Sequence, residues 1–351
     1  MILSAVSLHN FRSYEESSFS FSPKVTIISG PNGSGKTNVL EAIYTLCAGR
    51  SFRDRDDDLT RFDAPWWRVN GSVDGSLRDV RFDPTRQPSK QLIVDDAKKA
   101  RFTYREQLPV VLFEPEDLRL IDGSPARRRD FMDRILVQLS PQYRRHLRAY
   151  ERSLVQRNNL LKQSHHRDID DTLFVWDVSL AEHGAELVME RRKLVEAING
   201  DLSELYSRIA DKEHDVRLDY QSPLAKKEVM SSLLSQLKQR TTQDRMRGFT
   251  SVGPHRDDVA FYVDGRDAAT SASRGEVRSI ILSLKLIEAQ LYEERFETTP
   301  LLLFDDVFSE LDETRRAKLL EAQGSMQLIL TTTDADIAAG YKARHIRLTS
   351  D

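Results

Sequence analysis

The sequence has a single cysteine, Cys47, so no disulfide can close within the chain, which fits a reducing compartment. It has no apolar run near the roughly 18 residues that a membrane span needs. Its start, MILSAVSLHNFRSYEE, turns polar too early for a secretory leader. These absences lead us to expect a soluble, cytoplasmic protein. Charge of one sign is missing too. The formal net is −3 although 30% of residues are charged, so a nucleic-acid surface can come only from local clustering. There is no internal repeat and no low-complexity tract.

What is present is a chain of 351 residues, 39% hydrophobic, enough for two or three domains or for one domain with a large insertion. The first third reads as strands around one helix. ILSAVSLHNF alternates, KVTIIS is a short apolar run, and TNVLEAIYTLCAG has helical spacing with a stop at Gly49. WWRVNGSVDGSLRDVRF reads as a hairpin about Asp74-Gly75, and QLIVDD and LPVVLF add strands.

The character changes at Ser124. Two helices start with Ser then Pro, at Ser124-Pro125 and Ser140-Pro141. A third is expected over residues 172–199, about 40 Å long, with Asn199-Gly200 as its stop. Leu173, Leu180, Leu187 and Leu194 recur at heptad spacing, and the partner positions include His183 and Glu190, which makes a partial coiled-coil seam. A shorter helix is expected over 223–240. From about Arg247 strands return: GFTSVG and DVAFYVDG, then a helix, the strand PLLLFDD, the helix ETRRAKLLEAQ, the strand MQLILTTT and a last strand in ARHIRLT. Strand–helix alternation of this kind argues a mostly parallel sheet. We therefore expect an α/β domain formed by residues 1–123 and 246–351, split by a helical arm at 124–245.

GPNGSGKT, from Gly30 through Pro31, Asn32, Gly33, Ser34, Gly35 and Lys36 to Thr37, fits the P-loop pattern, and it has the required strand before it and helix after it. Its glycines let backbone N–H groups turn around phosphate oxygens, and the helix N-terminus adds positive potential. Lys36 is placed to reach the β- and γ-phosphates, and Thr37 to hold Mg²⁺. At the tip of PLLLFDD, Asp305 fits a Mg²⁺-organising acid and Asp306 a base for water. Taken alone, that pair is equally a buried strand with solvated acids at its exit.

In order along the chain stand the P-loop, Ser273-x-Gly275-Glu276-x-Arg278, Asp305-Asp306, SELD at Ser309 to Asp312, and TTTD ending at Asp334. That set resembles an ABC-type ATPase head. The blocks VSLHNFRSYEE, GKTNVLEAIYTLCAGRSFR, FEPEDLRLIDGSPARRRDFMDR and SVGPHRDDV further resemble the RecF family of recombination mediators over most of the chain. The resemblance implies an ABC-type P-loop ATPase head with a mixed sheet, split by a helical arm in place of a long SMC coiled coil. It implies ATP and Mg²⁺ as cofactors, an ATP-dependent homodimer, and weak, DNA-stimulated hydrolysis. It implies action in repair and replication on double-stranded DNA next to single-stranded gaps, with RecR and RecO as partners. By position, Lys36, Thr37 and Asp305 would bind Mg-ATP, while Ser273, Gly275 and Arg278 would serve the nucleotide of the opposing protomer. Ser309 to Asp312 would meet their twin across the dimer. Asp306 stands where transporters carry Glu, one methylene longer, which implies slow hydrolysis. Thr333-Asp334 replace the switch His of transporters, and FEPED contains no Gln for a glutamine loop. Arg50 and Arg53 fall where SMC heads sense phosphate, and a structural role fits them equally.

The first two arm helices carry Arg127, Arg128, Arg129, Arg134, Arg144, Arg145, Arg148, Arg152 and Arg157 against Asp130, Asp133 and Glu151. That is a basic footprint for DNA phosphates, or a solvated charged face. Arg127, Arg128, Arg129, Arg144, Arg145 and Arg148 are the candidates for DNA contact, and Lys98, Lys99 and Arg101 would extend them. His255-Arg256-Asp257 would be a hydrogen-bonded corner or a metal site. His165-His166 reads as an exposed polar loop. Trp66-Trp67 reads as core and hairpin packing rather than a base platform. Two other classes stay open on the residues alone. A metabolic P-loop kinase would not need Ser273-x-Gly275-Glu276. A structural SMC-like tether would need a far longer arm.

Overall fold

The computed structural model describes residues 1–104, 106–163, 170–334 and 340–349. In chain order the elements are β1 (Leu3–Phe11), β2 (Tyr14–Ser20), β3 (Val25–Ser29), α1 (Lys36–Ala48), β4 (Trp67–Val73), β5 (Ser76–Phe82), β6 (Lys90–Val94), β7 (Ala97–Lys99) and β8 (Val110–Phe113). Then come α2 (Pro125–Leu139), α3 (Pro141–Gln163), α4 (Asp170–Ala210), β9 (Val216–Gln221), α5 (Val229–Arg247), β10 (Asp258–Val263), β11 (Arg266–Asp267) and α6 (Ala268–Ser271). The last are α7 (Arg274–Phe296), β12 (Leu301–Phe304), α8 (Glu313–Ala322), β13 (Gln327–Thr332) and β14 (Arg344–Arg347).

The chain forms two compact units. The first comprises Met1–Leu118, Arg208–Asp211 and Arg278–Asp351. Its strands sort into an antiparallel sheet, β2-β1-β4-β5-β6-β7, and a parallel sheet, β14-β3-β13-β12-β8. β3, β8, β12 and β13 are buried along their whole length, as parallel strands covered on both faces are. Helix α1 lies between the sheets, touching β1, β4 and β5 on one side and β8 and β13 on the other. That explains why Val39, Leu40, Ile43, Leu46 and Cys47 are all buried rather than forming one narrow stripe. Trp67 sits in the same core, edge-on to Phe11 and stacked on Phe82, as its hairpin reading requires, whereas Trp66, expected to pack with it, is 39% exposed.

The second unit comprises Arg119–Ser207 and Lys212–Val277. It starts close to the expected arm boundary but ends some thirty residues beyond residue 245. The cause is pairing: β10 is antiparallel to β9, so the segment after the helices stays with them. The seam leucines, Leu173, Leu180, Leu187 and Leu194, are all buried.

Three local readings need correction. Asn199-Gly200 does not stop α4, which runs 41 residues, about 60 Å. The apolar series continues through Leu202, Leu205, Tyr206 and Ile209, all buried. Asn199 turns its amide on a neighbouring strand instead, donating to the Leu218 carbonyl at 2.9 Å and accepting from the Leu218 N–H at 2.8 Å. The shorter helix begins at Val229, not near residue 223, and reaches Arg247, where Gly248 in the left-handed region closes it. GFTSVG forms no strand. Thr250 is buried and fixed by Asn158, which accepts from its N–H and hydroxyl at 2.8 Å each, so this segment is a loop anchored by side chains, with Phe249 exposed.

Candidate functional site

Because the strands of the parallel sheet share one direction, their C-terminal ends meet along one edge. Ser29 of β3 is level with Thr332 of β13, and Phe304 of β12 with Leu330. The P-loop leaves β3, Asp305 and Asp306 leave β12, and Thr331 and Thr332 end β13, with Thr333 next in the chain. Such an edge is where open α/β sheets bind ligands. The cavity there has a volume of about 360 Å³ and includes Asn32, Gly33, Gly35, Lys36, Thr37, Asp305, Asp306 and Thr333.

Gly33 and Gly35 both hold positive φ, 82° and 86°, which lets the loop curl its N–H groups inward. A Cβ at position 35 would lie 2.7 Å from the Tyr14 hydroxyl, so that position has no room for a side chain. Tyr14 donates to the Gly35 carbonyl at 3.2 Å, and burial pushes its phenol up to about 12. Lys36 is buried and donates to the carbonyls of Gly30 and Pro31, each at 2.8 Å. Burial holds its ammonium below the usual value, with Asp306 and Asp305 opposing that shift.

Thr37 donates to Asp305 Oδ2 at 2.8 Å, and Thr331 donates to Asp305 Oδ1 at 2.6 Å. Thr331 also accepts the Asp306 N–H at 2.9 Å. Asp306 sits at φ 48°, in the left-handed region, and Ser309 donates back to its carbonyl at 2.7 Å. Two buried oxygens at this edge, Ser34 Oγ and Asp306 Oδ1, have no hydrogen-bond partner among the described residues. A glycine loop closed to a Cβ at Gly35, a hydroxyl already on a carboxylate, an unpartnered Ser34 hydroxyl that can donate and an unpartnered Asp306 oxygen that can accept fit a phosphate chain with a hard cation.

Sequence reasoning missed the groups that support this edge. Thr331 is one. Glu41 of α1 is another: fully buried, it accepts Arg12 Nε at 2.9 Å and Nη2 at 2.8 Å, Ser51 at 2.6 Å and Arg53 Nη2 at 2.6 Å. Burial alone would raise its carboxyl; the two guanidiniums and Ser51 outweigh that and keep it below the ordinary range. Arg53 lines the nucleotide-sized cavity, while Arg50 is exposed. Arg12 and Tyr14 lie in the LHNFRSYEE block, which was the available signal.

Ser273 and Glu276 cap α7 reciprocally. The Glu276 N–H donates to Ser273 Oγ at 3.3 Å and the Ser273 N–H to Glu276 Oε2 at 2.7 Å. Ser273 is nevertheless exposed; Gly275 follows in the first turn, and Arg278 lies one turn further. Asp312 caps α8 by accepting the Arg315 N–H at 2.8 Å. Thr333 and Asp334 are exposed at the end of β13.

The arm arginines divide. Arg128 donates to Asp258 through Nε at 2.7 Å and Nη2 at 2.8 Å, and to the Gly123 carbonyl at 2.7 Å. Arg129 donates to the Asp257 carbonyl at 2.8 Å, and Arg144 to the Val137 carbonyl at 3.1 Å. Arg157 is fully buried between Asp177, 2.6 Å, and Asp244, 2.8 Å. Arg157 therefore leaves the basic footprint, and the guanidinium of Arg128 is committed to folding. Arg127 is half-buried. Arg145, Arg148 and Arg152 are exposed on α3 at spacings of three and four, one face of the helix. Lys98 and Arg101 are exposed and Lys99 pairs with Glu106 at 2.7 Å.

His255-Arg256-Asp257 is a hydrogen-bonded corner. His255 Nδ1 meets the Tyr150 hydroxyl at 2.6 Å, Nε2 meets the Thr250 carbonyl at 3.1 Å, and burial pushes the imidazole down to about 4. Asp257 accepts the Tyr220 hydroxyl at 2.6 Å. No metal-holding group of three acidic, His or Cys side chains occurs among the described residues. His165-His166 lies outside them. No helix among them is long and apolar enough to cross a membrane.

Residues 5–245 match the AAA domain family. The chain is 38% identical over 344 residues to the DNA replication and repair protein RecF of Streptococcus pneumoniae strain P1031, covering 96% of this chain and 93% of that protein. The solved structure of the recombination mediator protein RecF-ATP in the RecFOR pathway is 30% identical, with a TM-score of 0.83, and covers 95% of this chain and 93% of that one. An SMC head bound to the C-winged helix domain of ScpA shares the fold at 17% identity and TM-score 0.56, over 97% of this chain and 91% of its own. An identity of this size over 96% of the chain makes it a member of the RecF family of DNA replication and repair proteins.

Proposed function

We propose that this chain binds ATP with Mg²⁺ at the edge of the parallel sheet, and that two copies close on DNA while ATP is bound. The observation that carries this reading is the chain of hydrogen bonds from Thr37 through Asp305 to Thr331, set beside a glycine cradle with orphaned oxygens on Ser34 and Asp306. The N–H groups of residues 33–37 would hold the phosphates. Lys36 would exchange the carbonyls of Gly30 and Pro31 for phosphate oxygens. Thr37 and Asp305 would ligate the cation, which supplies charge neutralisation for the phosphates. Asp306 Oδ1 would take a proton from water as the base of a weak, DNA-stimulated ATPase. Ser273, Gly275 and Arg278 would complete the site of a second copy; the exposure of Ser273 supports that use.

For DNA, the exposed face of Arg145, Arg148 and Arg152 supports phosphate contact without base reading. Arg127 joins them as a half-buried candidate. Double-stranded DNA beside single-stranded gaps, RecR and RecO as partners, and a cytoplasmic location follow from the family and complete the proposal.

The test is complementation. Lys36→Met and Ser273→Arg are prepared separately and mixed. A mixed dimer would hold one intact composite site, so ATPase activity returns in part. No return, with both proteins folded and dimeric, refutes the shared site.

A further inference from the structure

We propose that the pocket beside Trp66, on the antiparallel sheet, takes one unpaired nucleotide of a DNA strand. The base lies against the Trp66 indole, and the phosphate on the guanidiniums of Arg68, Arg81 and Arg86. The proposal rests on the family's role in DNA repair and not on the ATP site.

Three observations carry it. The first is an arrangement that folding alone disfavours. Arg68 and Arg81 are directly opposite across the β4–β5 pair, where like charges repel. A single carboxylate, Asp79, lies between them, accepting Arg68 Nη2 at 2.8 Å and Arg81 Nε at 2.9 Å. Nη1 of both arginines has no hydrogen bond among the described residues. Arg86, 67% exposed, pairs with Asp83 at 2.8 Å. Three guanidiniums thus face two carboxylates, and the surplus is one positive charge, the charge that one phosphodiester would balance.

The second observation is the exposure of an indole. Trp67 is fully buried in the core, whereas its neighbour Trp66 is 39% exposed and lines this pocket, with no hydrogen bond on its Nε1 among the described residues. The third is size. The pocket has a volume of about 200 Å³, room for one base and little more. A flat apolar wall beside unpaired guanidinium donors is how proteins hold single strands without reading sequence. An acidic peptide would use the same donors, but the single surplus charge and the single indole suit one nucleotide better.

The experiment measures binding of a short labelled oligothymidylate to the full chain without ATP, by anisotropy and by tryptophan quenching. Trp66→Ala should weaken binding roughly 5- to 150-fold, the loss of one base stack. Trp66→Phe should keep most of the affinity while abolishing the quench. Arg81→Gln and Arg86→Gln should each flatten the salt dependence by about 0.7 in log–log slope. Arg86→Gln, at an exposed position, gives this answer even if Arg81→Gln folds poorly. Unchanged affinity in both Trp66→Ala and Arg86→Gln overturns the proposal. So does a polyglutamate peptide whose binding falls in Trp66→Ala while oligonucleotide binding does not. Lys36→Met should bind the oligonucleotide as the parent does, whether or not the ATP reading stands.

Discussion

Replacing Arg157 with Met separates charge that folds the protein from charge that could bind DNA. The Arg157 side chain is fully buried and donates to Asp177, Asp244 and Thr250. Met matches much of its apolar stem but leaves two buried carboxylates without a cation. Breaking a buried pair by removing one partner costs about 3–5 kcal/mol. With two carboxylates sharing this guanidinium, we expect the upper part of that range, a large share of a total stability of about 5–15 kcal/mol. The loss should depend on pH with a definite sign. Burial already holds the Asp177 carboxyl above its usual range, with Arg157 pulling it down. Without Arg157 it rises further, so the folded chain keeps a proton that the unfolded chain has lost. Stability of the variant then falls as pH rises through that range, and the gap to the parent narrows toward about pH 4, where the unfolded carboxyl also protonates. Urea unfolding by circular dichroism at several pH values measures it. A variant within about 1 kcal/mol of the parent at neutral pH, or a gap that widens on acidification, refutes the reasoning. The salt dependence of DNA binding should not change, because the group is out of reach of a phosphate.

Replacing Arg145, Arg148 and Arg152 together with Ala should weaken duplex binding and reduce the log–log salt slope by about 2–3, near 0.9 per lost phosphate contact, as measured by anisotropy across a salt series. Thr331→Val should leave Asp305 Oδ1 and the Asp306 N–H without their hydroxyl partner, at about 1–3 kcal/mol, and should weaken binding of Mg-ATP more than of ATP with chelator. His255 is held neutral down to about pH 4 by burial, while a free imidazole charges near pH 6.5. The unfolded chain therefore gains its proton first, and parent stability should fall by about 3 kcal/mol as pH drops from about 6.5 to 4. In His255→Gln that part of the decline should be absent from the pH profile of urea midpoints.

The geometry of the candidate edge was legible because its parts are short-range. A P-loop declares itself by the strand before it, the glycines within it and the helix after it, all inside some twenty residues. Asp305 was legible from the apolar run that ends on it. Helix starts at Ser124-Pro125 and Ser140-Pro141 were legible for the same reason, since a cap and a fixed φ act locally. The stop expected at Asn199-Gly200 failed because a stop signal is only a tendency. Leu202, Leu205, Tyr206 and Ile209 bury enough apolar surface to carry α4 onward, and the Asn199 amide finds the backbone of Leu218. GFTSVG failed as a strand for the complementary reason. Val252 is buried but Phe249 is exposed, and the backbone groups of Thr250 and Ser251 are satisfied by Asn158, by Asp244 and by the side chains of His255 and Arg256 rather than by a ladder.

The arginines show why the basic surface was harder to read than the nucleotide edge. A count along α2 and α3 measures charge, but DNA responds to charge that is free to meet it. Whether a guanidinium is free depends on carboxylates far away in sequence: Asp258 lies 130 residues from Arg128, and Asp244 lies 87 from Arg157. No spacing rule connects those positions. The same limit works in the other direction at Arg68 and Arg81. Thirteen residues apart, they look unrelated, and the chain around them looks like ordinary hairpin. Only the β4–β5 register puts them face to face with one carboxylate between them. Tertiary pairing thus removes positive charge from the arm helices, where the sequence displays it, and concentrates it beside Trp66, where the sequence does not. Each face is therefore read separately: the α3 triple variant should flatten the salt slope for duplex DNA, and Arg86→Gln that for a short single strand.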